Sequence, residues 1–70
     1  MWQVEKQGNK YIVTGKEIEG FAKRTNYDQY QSVQRLMDIL KRKGITRELI
    51  KQGAQPGESK VIIADKEISF

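Results

Sequence analysis

The 70-residue sequence contains no cysteine, no histidine, one proline and one tryptophan. Without cysteine it can form no disulfide, no zinc–thiolate site and no thiol nucleophile. Without histidine the usual general base at neutral pH is missing. No apolar run approaches the roughly 18 residues of a membrane span, and the N-terminus lacks the charged-then-apolar order of a signal peptide. These absences predict a small, soluble domain of intracellular type. They argue against an enzyme acting alone.

What is present supports a thin core. Leu, Ile, Val and Phe make up 17 of the 70 residues, above the roughly 20% below which disorder is the expectation. The 13 Lys and Arg outnumber the 9 Asp and Glu, for a net charge of +4. The excess is local: residues 1–22 sum to zero, residues 23–51 to +5 and residues 52–70 to −1. A basic middle third suits an anionic partner such as RNA. It equally suits helices that carry charge on their wet side.

Hydrophobic periodicity divides the chain into seven elements. Trp2 and Val4 alternate with polar residues up to Gln7, Gly8-Asn9 is a hairpin turn signal, and Lys10 to Thr14 holds the strand formers Tyr11, Ile12 and Val13. Ile18, Phe21 and Ala22 then share one face of a helix over Lys16 to Arg24, weakened by Gly20. A longer helix is expected from Tyr27 to Lys43. Its apolar stripe is Tyr30, Val33, Leu36, Met37 and Leu40, with Arg35, Asp38 and Arg42 opposite and Asp38–Arg42 placed as an i,i+4 pair. Gly44 is its left-handed stop. A short third helix follows, with Thr46 as N-cap, Leu49 and Ile50 inward, and Gly53 at its end. After a Pro56-Gly57 turn, Val61-Ile62-Ile63 and Lys66 to Phe70 form a second hairpin. The order ββαααββ predicts an α+β fold, a small sheet from two hairpins with three helices packed on one face.

Chemistry-bearing constellations are few. The stretch GNKYIVTGKE from Gly8 to Glu17 has six residues between its glycines, and Glu17 follows Lys16 where a P-loop has Ser or Thr. No three ligands cluster for a metal. The carboxylates Glu17, Glu19, Asp65 and Glu67 read as solubilising charges. Basic residues gather at two helix ends: Lys23 and Arg24, then Lys41, Arg42 and Lys43. Each cluster complements a helix dipole, and both together are the candidate partner-binding residues. Of the aromatics, Phe21, Tyr30 and Phe70 fall at core-facing positions, leaving Trp2 and Tyr27 as free rings for base stacking.

Arg24-Thr25-Asn26-Tyr27-Asp28, Arg35-Leu36, the stop at Gly44, Leu49, Gly53-Ala54, Gly57 and the terminal Ile68-Ser69-Phe70 closely resemble the C-terminal (OCT) domain of Obg-family GTPases. That family shows R-T-[ND]-[FY]-D, a long helix ending in K-x-x-G, then L-x-x-x-G-A-x-x-G-[DE] and a closing β-hairpin. The likeness runs from about Tyr11 to Phe70. Ser59-Lys60-Val61 and Ala64 depart from the family's more frequent Thr-Val-Arg-Ile and Gly.

The resemblance implies that residues 1–70 are one OCT-like domain, the C-terminal domain of a larger bacterial, cytoplasmic GTPase. Such a parent binds GTP with magnesium, associates with the large ribosomal subunit, and acts in ribosome assembly and stress response. Its P-loop, magnesium-binding Thr and base-reading motif are absent from these residues, so no catalytic residue and no cofactor carries over. The implied role is regulatory or interaction-forming, toward the parent's own G domain or the large subunit. Arg24, Thr25, Asn26 and Asp28 match the family's motif and read as a polar joint between helices. The alternative is a free-standing small basic protein that binds RNA or the ribosome through its helix ends.

Overall fold

Strands adjacent in sequence pair with one another across short turns. β1 (Gln3–Gln7) and β2 (Lys10–Thr14) are antiparallel, with Val4 opposite Val13 and Lys6 opposite Tyr11. The computed structural model describes residues 1–70 and continues with α1 (Lys16–Arg24), α2 (Tyr30–Arg42), α3 (Ile45–Lys51), β3 (Lys60–Ile63) and β4 (Lys66–Ser69). The fold is α+β in the expected ββαααββ order.

Both hairpins belong to one sheet in the order β1-β2-β3-β4. The join between them is parallel, with Tyr11 beside Val61 and Val13 beside Ile63. Parallel neighbours need a long crossover, and the three helices are that crossover. Because side chains alternate along a strand, Tyr11, Val13, Val61, Ile63 and Ile68 share one face. They are buried there against Ile18, Ala22, Leu36, Leu40, Ile45, Leu49 and Ala54. No polar or charged residue is buried. The opposite face carries the row Glu5, Ile12, Ile62 and Glu67, and Lys10 pairs with Glu67 at 3.5 Å.

Local geometry explains where the helices begin. Gly15 precedes α1 with φ 149, and a Cβ there would lie 2.7 Å from the Met1 carbonyl oxygen. Only glycine fits so close an approach. Its N–H donates to Glu19 Oε2 at 2.8 Å. Glu19 therefore satisfies a free donor at the helix start rather than merely solubilising the surface.

α2 starts three residues later than the periodicity suggests. Asn26 Oδ1 accepts the Asp28 N–H at 3.0 Å, and Ser32 Oγ accepts the Asn26 N–H at 2.8 Å. These local bonds offer the backbone an alternative to helix, so residues 26–29 turn and Gln29 becomes the cap. Tyr30, expected in the core, consequently sits at the helix tip and is 77% exposed.

The start of α3 differs too. Gly44 is both the left-handed stop of α2 and the cap of α3, at φ 84 and ψ 6. Thr46 thus falls inside the first turn, not at the N-cap, and its hydroxyl is buried without a partner. With Ile45 and Leu49 facing the core at i and i+4, Ile50 points away and is 52% exposed. No ion pair joins Asp38 to Arg42; the two ion pairs of the fold are Lys10–Glu67 and Lys43–Glu17.

Candidate interface between the first two helices

The segment that joins α1 to α2 is held by its own polar side chains. Thr25 caps α1, its N–H on the Ala22 carbonyl at 3.2 Å and its hydroxyl on the Phe21 carbonyl at 3.0 Å. Tyr27 donates its hydroxyl to the Ala22 carbonyl at 2.9 Å. Burial raises the Tyr27 phenol above its ordinary pKa, and the hydrogen bond with the Thr25 side chain pulls in the other direction. The Lys66 ammonium lies 5.6 Å from the Tyr27 ring centre. Tyr27 is therefore a committed structural ring. Trp2 is committed as well, half-buried against the core and near Gly44.

Fastening the joint this way lays α1 alongside α2 and leaves an open groove of about 410 Å³ between them. Phe21 and Ile39, both half-buried, contribute its apolar part; Arg24, Arg42 and Lys43 line it with Glu17. The Arg24 guanidinium stands 5.9 Å from the Phe21 ring centre, within cation–π range. Near the joint the groove continues to Thr25, Ser32 and Arg35.

Of the five basic residues singled out at the helix ends, the fold brings together Arg24, Arg42 and Lys43. Lys43 is half-buried and paired with Glu17 across the two helices, so it already has a partner inside the molecule. Lys23 lies elsewhere, in a recess shared with Glu19 and the Ala64-Asp65 turn. Lys41 is exposed and lines no recess of the surface.

Arg35 and Tyr30 are the residues that sequence reasoning left out. Arg35 lines a shallow exposed surface with Tyr30, Gln31, Gln34, Asp38, Ile39 and Arg42. The signal for it was the spacing of Arg35 and Arg42, seven residues apart and thus on the same side of a helix.

No group of three His, Cys, Asp or Glu side chains gathers anywhere in the fold. Gly8 lies in the β1–β2 turn, and Gly15 is closed off by the backbone of Met1 and Trp2. No helix is long and apolar enough to cross a membrane.

Comparison with known proteins gives this architecture its relatives. A family model described as a domain of unknown function, DUF1967, matches residues 2–70. GTPase Obg of Finegoldia magna is 38% identical over 69 residues, covering 99% of this chain and 16% of that protein. GTPase Obg of the onion yellows phytoplasma is 36% identical over 96% of this chain and 16% of its own length. GTPase Obg of Thermosipho africanus is 33% identical over 97% of this chain and 15% of its own. The chain therefore spans about one-sixth of the length of these relatives. No solved structure matches it significantly. By sequence over nearly its whole length, the chain belongs to the DUF1967 family, the C-terminal domain of Obg GTPases.

Proposed function

We propose that the chain is the non-catalytic interaction module of an Obg-type GTP-binding protein, working in the cytoplasm. In this reading the parent hydrolyses GTP with magnesium and acts in large-subunit assembly and stress response. The module contacts the parent's G domain and the large ribosomal subunit. The observation that carries it is the α1–α2 groove. Arg24, Arg35 and Arg42 are exposed there without an ion-pair partner, in a family whose relatives are named as GTPases. Exposed arginines without an ion-pair partner suit recognition of phosphate or carboxylate.

The test is an Obg-type GTPase truncated before this module, with the 70-residue chain added in trans. Turnover of GTP and cosedimentation with large subunits should both move toward those of the intact protein. No change in either at high chain concentration counts against the proposal. The three free arginines also favour the alternative of a free-standing RNA-binding protein. An immunoblot of the source cells separates the two readings, by a band at 8.1 kDa or one several-fold heavier.

A further inference from the structure

Three surfaces of the fold lack an assigned partner. The outer sheet face is one, but Ile12 and Ile62 are half-buried there between Glu67, paired with Lys10, and Glu5, which accepts from the Gln7 side chain. The polar recess near Lys6, Tyr11 and Gly53 is another; Glu58 and Ser59 share it, and Ser59 Oγ is occupied by the Gln55 N–H. The third is the exposed face of α2 with the groove at its flank, and it differs in holding three arginines without ion-pair partners beside an exposed ring.

We propose that this face binds single-stranded RNA, with phosphates held by Arg24, Arg35 and Arg42 and a base stacked on Tyr30. The choice of RNA rests on the reading of the chain as a ribosome-contacting module. The binding chemistry rests on the geometry. A guanidinium presents a planar fork that matches two phosphate oxygens at once. Arg35 and Arg42 stand about 10 Å apart along the helix axis, and Arg24 projects toward them from α1 over Phe21. Together they spread positive charge along a line rather than at a point, and the exposed Asp38 carboxylate, on the same surface between Arg35 and Arg42 in sequence, leaves that charge in net excess.

The Tyr30 side chain is 77% exposed and its hydroxyl makes no hydrogen bond within the fold, which is how a single-strand binder presents a stacking platform. Gln31 and Gln34 lie exposed between ring and arginines, each with amide donors and an acceptor for base edges. An acidic peptide fits less well. A docked helix or strand needs a row of apolar anchors, and here the apolar surface is Phe21 and Ile39, both half-buried.

The test uses the 70-residue chain and a fluorescein-labelled RNA of about ten nucleotides, within the site sizes of single-strand binders. Anisotropy is read from 50 to 300 mM KCl. Binding should weaken with salt, and each of Arg24→Ala, Arg35→Ala and Arg42→Ala should lower the log–log slope by about 0.7. Tyr30→Ala should weaken binding about 5-fold or more at every salt concentration, while Tyr30→Phe retains it. Lys23→Ala and Lys41→Ala, outside the groove, should leave the slope unchanged. All these positions are exposed, and circular dichroism checks that each variant is folded.

Absence of binding at 50 mM KCl overturns the proposal. So does an equal loss in the Lys23 and Lys41 variants, which would mean diffuse attraction. Displacement of the RNA by an equimolar poly-glutamate peptide overturns it in favour of an acidic protein partner. Large-subunit cosedimentation of the same variants keeps the two readings apart. RNA binding without subunit binding upholds the groove and removes the ribosomal role. Subunit binding that survives loss of all three arginines removes the groove and leaves that role standing.

Discussion

Gly20 is the weakest link of α1 and the easiest to repair. It lies mid-helix in ordinary helical geometry, where glycine costs about 1 kcal/mol relative to alanine. A Cβ there would meet one atom within 4 Å, Arg24 Nη1 at 3.4 Å, at the mobile end of a long side chain. Gly20→Ala should raise stability by about 0.5–1 kcal/mol, read from urea unfolding. Tyr27 yields a prediction in pH. Because burial makes the folded phenol harder to ionise, the folded state keeps its proton to higher pH than the unfolded chain. That stabilisation is complete below the unfolded pKa of about 10 and is lost as pH rises through the folded value. Tyr27→Phe also deletes the bond to the Ala22 carbonyl, at about 1 kcal/mol. The parent's advantage over this variant should stay flat from neutral pH to about pH 9 and shrink above pH 10, measured by denaturation at each pH.

At the scale of elements, α2 carries the core. Leu36 and Leu40 are 0% and 1% exposed, so Leu36→Ala or Leu40→Ala should cost roughly 2–5 kcal/mol through the cavity each leaves. In a chain of this size that is enough to unfold it at room temperature, which a thermal melt would show at once. Both leucines, like Ile18 and Ala22, were legible because a period of 3.6 marks a buried stripe. Tyr30 was not, since it continued that stripe in projection while Asn26 and Ser32 ended the helix before it by bonding to the backbone. Ile50 misled in a similar way. In a helix of seven residues the apolar positions are too few to establish a face, and Ile45 with Leu49 had already filled it.

For the whole molecule, local pattern shows the parts better than their arrangement. The first hairpin has the Gly8-Asn9 turn signal between its strands and the second turns at Ala64-Asp65, both at positive φ, whereas Tyr11 beside Val61 is a pairing across 50 residues that no neighbouring residue announces. The groove has the same origin. Arg24 and Arg42 were each readable as the end of a helix, but their meeting depends on how α1 and α2 pack against the shared sheet face. Glu17 pairing with Lys43 is likewise a product of that packing. So is the sorting of the cations, with Arg24, Arg35 and Arg42 shared pairwise among three adjoining recesses and Lys23 and Lys41 outside them.

The parallel seam between β2 and β3 makes the two ends of the chain hostages to each other. A lone two-stranded ribbon is marginal in water, so neither β1–β2 nor β3–β4 should persist by itself. Yet the chain between α3 and β3 passes over Pro56 and Gly57, both exposed, where a break would sever no strand or helix. Two synthetic peptides, residues 1–56 and 57–70, should therefore each be disordered alone and regain helix and sheet signal in circular dichroism when mixed. The domain would then serve as a split reporter, dark in halves and assembled only when something brings the halves together.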